Sequence, residues 1–279
     1  MPTPAADSSL KSLVVHVDAG PHAEARLRLA RRLAQDHGAA LTAYYAVGSE
    51  VAQMPPQIET AAASAAYNVL QELDQQRRRV AAAMVDRLAT EAGAAIAWEE
   101  STSGDPAGCV ARRALLADVV VLGQRDRAAS SGGIPTDLVE SVVIGSGTPA
   151  LVVPYVDAAR TVGQCVVVTW KKSRASAQAL RASLPFLTRA REVHLVSWGD
   201  DSAKAALAFL RHHGVEARLD ASQDTSGDLG GRLLSRVADV SADLLVMGCY
   251  GHSRVREFVM GGVSRTILEE MTVPVLMAH

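Results

Sequence analysis

Ala117-Asp118-Val119-Val120-Val121-Leu122-Gly123 returns 125 positions later (242 less 117) as Ala242-Asp243-Leu244-Leu245-Val246-Met247-Gly248. The same offset carries Thr148-Pro149-Ala150-Leu151-Val152-Val153 onto Val273-Pro274-Val275-Leu276-Met277-Ala278. A register kept across two separate runs is an internal repeat, and a repeat settles the architecture before any single motif does. Each run is short and aliphatic with no polar alternation, the pattern of a strand buried on both faces in a parallel sheet.

Working outward, Ser103-Gly104-Asp105 and Ser226-Gly227-Asp228 each open an amphipathic segment as an N-capping turn does. Leu13-Val14-Val15-His16-Val17-Asp18 lies opposite Val166-Val167-Val168-Thr169-Trp170-Lys171 at an offset of 153 (171 less 18). The first half therefore holds 28 extra residues (153 less 125) around Val51 to Val80, where Met54-Pro55-Pro56 breaks the chain and an Ala-rich helical stretch runs to Ala92. Strands are expected near 12–17, 40–46, 94–99, 119–123 and 150–153, then near 165–170, 192–197, 215–219, 244–248 and 275–277. Helical segments separate them, so the units are right-handed βαβ. The join lies near Tyr155 to Gly163. The expected fold is α/β, two tandem Rossmann-like domains over 1–157 and 158–279, each with a five-stranded parallel sheet flanked by helices. Val152, Val153, Val275 and Leu276 fall on last strands whose edges require a partner, which points to a pseudo-dimer within the chain and a further homodimer.

Composition agrees. A chain of 279 residues exceeds the roughly 250 at which one core stops growing. Aromatics are 4% against 48% hydrophobic residues, so Val, Leu, Ile and Ala must build the cores. The net charge of -2, scattered along the chain, implies neither a nucleic-acid nor an anionic-membrane partner. No stretch approaches about 18 uninterrupted apolar residues, and Met1 to Leu10 carry no export pattern, so a cytoplasmic protein is expected. Cys109, Cys165 and Cys249 are far apart and odd in number, which predicts neither a disulfide framework nor a metal site.

Met247-Gly248-Cys249-Tyr250-Gly251-His252-Ser253-Arg254, continued by Glu257-Phe258-Val259-Met260-Gly261-Gly262-Val263-Ser264-Arg265 and closed by Val273-Pro274-Val275-Leu276, resembles the C-terminal signature of universal stress proteins. Nucleotide-binding members of that family carry Gly, two residues, Gly, nine residues, Gly, then Ser or Thr. Gly248, Gly251 and Gly261 keep the spacing; Gly262 stands where the hydroxyl residue belongs, with Ser264 two positions on. The resemblance implies a stress-response protein, not an enzyme, with an adenine nucleotide, ATP, as a regulatory ligand beyond the carboxyl ends of the strands. In such a loop glycines let backbone amides reach phosphate oxygens, and a helix N-terminus adds partial positive charge. Carried onto this sequence, the cofactor-binding residues are Gly248, Gly251, His252, Arg254, Gly261, Gly262, Val263, Ser264 and Lys171.

The two halves differ in what they keep. The second lacks the family's acidic residue after the first strand, where Trp170-Lys171-Lys172 stands instead. The first keeps that acid as Asp18 but sets Asp126, Thr136 and Asp137 opposite Gly251, Gly261 and Gly262, so it is expected to bind no nucleotide. A ligand-free interaction scaffold with both clefts decayed is the alternative. A nucleotide hydrolase has least support, since no water-activating residue can be named. Ser130-Ser131-Gly132-Gly133 reads as a flexible insertion, His212-His213 as helix-end residues, and Arg77-Arg78-Arg79 as a solvated, charge-paired face.

Overall fold

The structure is a computed structural model that describes residues 9–49, 51, 61–92, 95–101, 104–129, 132–156, 161–199, 202–249 and 262–279. By packing, the chain divides into Lys11–Ser146 and a second unit of Gly147–His279 together with Met1–Leu10.

Lys11–Ser146 runs β1 (Ser12–Val17), α1 (Ala23–His37), β2 (Ala40–Ala46), α2 (Ala61–Ala92), β3 (Ile96–Ser101), α3 (Pro106–Ala114), β4 (Val119–Gly123) and α4 (Leu138–Ser146). Its strands are parallel in the order β3-β2-β1-β4, with Leu13 opposite both Leu41 and Val119. The central strands are buried on both faces, and Val14, Val15 and Val119 to Leu122 have no exposed surface. β3 alternates half-buried and exposed residues as an outer strand does. It begins at Ile96, later than the expected Ala94. The surplus residues fall largely in α2, whose 32 residues bury Ala81, Val85 and Leu88, a one-sided stripe at helical spacing. Arg78 clamps Glu100 with Nε and Nη2 at 2.6 and 2.7 Å, and Arg77 lies 3.6 Å from Asp74, as the charged face predicted.

The second unit contains β5 (Ala150–Val153), β6 (Cys165–Thr169), α5 (Arg174–Ala182), α6 (Leu184–Leu187), β7 (Glu192–Trp198), α7 (Ala203–His212), β8 (Arg218–Ser222), α8 (Leu229–Asp239), β9 (Leu244–Gly248), α9 (Gly262–Glu270) and β10 (Val275–Ala278). The order is β5-β10-β9-β6-β7-β8. β6 to β9 repeat the pattern of β1 to β4 and, with β10, are parallel, whereas β5 runs antiparallel to β10 with Val152 opposite Val275 and Leu151 opposite Leu276. The sequence boundary at 157/158 and the packing boundary at 146/147 differ for this reason: β5 ends the first repeat in sequence but packs with the second. The edges of these two last strands, which the sequence marked as requiring a partner, are thus paired with each other within the chain.

β8 starts three residues after the expected Val215. Gly214 takes φ +74, and Val215 folds back with its amide donating to Leu210 O at 3.0 Å, so this valine closes α7 rather than opening the strand. Both capping turns form as expected: Asp105 Oδ1 accepts from Gly108 N at 2.8 Å and Asp228 Oδ1 from Gly230 N at 3.0 Å. A further shared device was not read from the sequence. Asp118 accepts from the amides of Lys11 and Ser12, and its repeat counterpart Asp243 from those of Gly163, Gln164 and Cys165, so one aspartate opens the first strand of each repeat.

Candidate functional site

In an open α/β sheet the binding crevice lies beyond the carboxyl ends of the first and fourth strands, where the order reverses. Each half offers such a place, at β1/β4 and at β6/β9.

At β1/β4 the crevice is filled. Asp18 follows β1 and Arg26 lies one turn into α1, and both are 5% exposed. Arg26 Nη2 donates to Asp18 Oδ2, Arg26 Nε donates to the His16 carbonyl at 2.8 Å, and Gly20 N donates to Asp18 Oδ1 at 2.5 Å. Burial pushes the Asp18 carboxyl up, but the charges of Arg26 and His16 and the bonds from Gly20 and Arg26 outweigh it and hold the group below the ordinary carboxylate range. His16 is buried and bonded through Nε2 to Ala46 O at 2.9 Å; burial first, then the Arg26 charge, pushes its pKa below the ordinary value. A Cβ on Gly123, the retained loop glycine, would collide with the Arg26 guanidinium. Arg26 therefore stands over the end of β4 with its charge already neutralised.

The substituted loop is likewise engaged. Asp126 Oδ2 lies 3.0 Å from His22 Nε2, and its Oδ1 accepts from Ala128 N at 2.8 Å. Asp137 precedes α4 and accepts from Ser141 Oγ at 2.8 Å, and Thr136 beside it is exposed. Gly132 and Gly133 form a turn with φ of +56 and +84, and Gly133 O accepts from Gly48 N at 2.8 Å. This corrects the reading of a flexible insertion: the turn is tied to the end of β2, and glycine is required because a Cβ on Gly133 would meet the carbonyl of Gly48 and the side chain of Val47. Ser130 and Ser131 lie outside the described residues.

At β6/β9 the arrangement is different. Trp170 is half-buried and donates from Nε1 to Ser202 Oγ at 2.8 Å, Lys171 and Lys172 are exposed, and Ser173 caps α5 by accepting from Ser176 N at 3.1 Å. Gly248 ends β9 directly against the N-terminus of α5, where a Cβ would collide with the backbone of Ala175 and Ser176. This glycine is a packing requirement in its own right. Cys249 is buried, with its amide bonded to Ala278 O at 2.9 Å. Of the predicted binding residues, Gly251, His252, Arg254 and Gly261 lie outside the described residues. Gly262 opens α9 and is exposed, with no atom of the described residues near the place of a Cβ; Val263 is half-buried, and Ser264 is buried on the first turn of the same helix. The structure thus places Gly248 at the strand end and Gly262, Val263 and Ser264 at the helix start, on the two sides of the glycine loop.

Arg26 is the residue the sequence reading missed. Its signal was present: it shares the buried face of α1 with Ala23, Leu27 and Ala30, so a charge on an apolar stripe called for an acidic partner, and Asp18 is eight positions upstream. His212 and His213 close α7, and His213 packs on Phe209 with ring centroids 4.6 Å apart. Among the described residues no helix is long and apolar enough to cross a membrane.

Residues 166–279 match the model of the Universal stress protein family. No curated protein sequence matches this chain. Among solved structures, a universal stress protein from Archaeoglobus fulgidus superposes with a TM-score of 0.70 at 16% identity, covering 96% of this chain and 97% of that one. A putative universal stress protein from Pseudomonas aeruginosa gives 0.59 at 12% identity over 98% and 94%. A functionally unknown protein from the same organism gives 0.61 at 11% over 98% and 94%. At these identities the likeness is one of fold, and it spans both halves.

Proposed function

We propose, on the premise that residues 166–279 form a universal stress protein domain, that this is a stress-response protein whose second half takes an adenine nucleotide, ATP, as a regulatory ligand while the first half takes none. The observation that carries the asymmetry is the buried Arg26–Asp18 pair. It satisfies the acid that would face an adenine and covers the end of β4. Among the described residues the second half shows no such buried pair: exposed Lys171 and Lys172 follow its first strand, and the end of β9 meets the capped N-terminus of α5. Since Gly248 is explained by packing, ligand binding rests on the loop of Gly251 and Gly261 and on the first turn of α9, where Ser264 replaces the hydroxyl absent at Gly262. Lys171 then acts as a point charge toward phosphate in place of a specific acid–adenine contact.

One observation favours the second reading, a ligand-free interaction scaffold: with Lys171 in the acid's position, neither half combines the acid with the glycine loop. The two separate on one test. Purified full-length protein is heat-denatured and the supernatant assayed for nucleotide. About one adenine nucleotide per chain supports the sensor; none, together with no calorimetric signal for ATP, supports the scaffold; two per chain contradict the plugged first cleft.

A further inference from the structure

At the opposite, amino-terminal end of the second unit's strands, Cys165 on β6 and Glu192 and His194 on β7 share one face, with Cys165 in register with Glu192 and Val167 with His194. One ligand-capable atom from each of the three lies within 4.8 Å of the others. His194 is 3% exposed, and among the described residues neither of its ring nitrogens has a hydrogen-bond partner. Nε2 lies 3.0 Å from Glu192 Oε1 but out of alignment for a hydrogen bond. An imidazole buried with both nitrogens unsatisfied is costly, and a metal ion is one of the few occupants that repays it.

We propose that Cys165, Glu192 and His194 bind one zinc ion, as a three-ligand site whose fourth position is left to water. Tetrahedral zinc, with bonds of about 2.0 to 2.3 Å, sets its ligands roughly 3.3 to 3.8 Å apart. Small side-chain rotations therefore close the observed spacing. The charges also suit a buried place, since a thiolate, a carboxylate and a neutral imidazole together cancel a dication.

Without metal the thiol is protonated and donates to Val240 O at 3.4 Å; burial, then the carboxylates of Glu192 and Asp243, holds it above its ordinary range. Binding transfers that proton to solvent and forms the sulfur–metal bond. Asp243 stays engaged with three backbone amides. The exposed Arg218, whose Nη1 is 2.5 Å from Glu192 Oε1, remains an outer-sphere partner of the carboxylate. The first repeat is an internal control: the same strand register there holds Ser12, Ala40 and Thr42, which are not a ligand set. The spacing was invisible in sequence because the ligands come from neighbouring parallel strands, not from a local motif.

The test titrates Co²⁺ into reduced full-length protein, followed by Zn²⁺ competition. One equivalent should give a thiolate-to-cobalt charge-transfer band with visible d–d bands, and zinc should erase both. Cys165→Ser should abolish the charge-transfer band, and His194→Gln should weaken cobalt binding at least tenfold. Cys109→Ser and Cys249→Ser should leave the spectrum unchanged. Zinc should also raise the unfolding midpoint of wild type but not of Cys165→Ser. Absence of a saturable band in wild type overturns the proposal without reliance on any variant. A band that survives Cys165→Ser, or vanishes in Cys249→Ser, overturns it as well.

Discussion

Arg26→Ala leaves Asp18 buried without its cation. Both side chains are 6% exposed, and removing one member of a buried pair costs about 3–5 kcal/mol, because the remaining charge keeps its desolvation penalty and loses its partner. For a unit of this size that lowers the melting midpoint by about 10 °C or more. The pH dependence separates this cause from lost packing. In wild type the Asp18 carboxyl is held low, so its contribution is full above the unfolded value near pH 4 and is lost as pH falls through the folded one. In Arg26→Ala burial, the largest influence on this carboxyl, is opposed only by His16 and the Gly20 amide and lifts the folded pKa above the unfolded value. The folded state then takes up a proton first, and the variant recovers stability on acidification. Urea unfolding at pH 7 and pH 5 reads this directly. Fluorescence of Trp98, with Trp170 and Trp198 changed to Phe, reports on the Lys11–Ser146 unit. The deficit should shrink at pH 5. A deficit below about 1 kcal/mol at pH 7, or one that does not change with pH, refutes the reasoning. The double replacement Arg26→Met with Asp18→Leu, which removes both charges together, is expected to be far milder than Arg26→Ala alone.

Other consequences can be checked alongside. Gly248→Ala should cost about 1–3 kcal/mol in thermal unfolding, because its Cβ meets the α5 backbone. Gly262→Ala, exposed on a helix, should be neutral or gain up to about 1 kcal/mol. Asp105→Ala and Asp228→Ala should each lose about 1 kcal/mol of cap stabilisation in urea melts. His16, with its pKa depressed, stabilises the fold above its unfolded value near 6.5, and this contribution is lost as pH falls towards the folded one; nitrogen NMR should find its ring titrating below the ordinary histidine range, and a midpoint at or above that range would contradict the burial argument.

The parts of this fold that could be read from sequence are those where one physical signal acts alone. Uninterrupted Val and Leu runs placed β1, β4, β5 and β9 without error, since strands buried on both faces leave little choice of residue. The outer strands β3 and β8 slipped, because a half-exposed strand carries a weak pattern and Val215 served a helix end. The crevices were half legible. Asp18 and the missing glycines of the first half were visible, but Asp18's partner sits on a helix face and was hidden by the Ala and Leu around it. The Cys165, Glu192 and His194 cluster was hidden altogether, because strand pairing and not chain spacing brings it together.

The unequal clefts are tested most directly by calorimetric titration of magnesium ATP into the intact protein. One site per chain, unchanged in Asp18→Asn and lost in the exposed substitution Gly262→Val, is the predicted result. Two sites, or binding that survives Gly262→Val and disappears in Asp18→Asn, would place the nucleotide in the half where Arg26 stands.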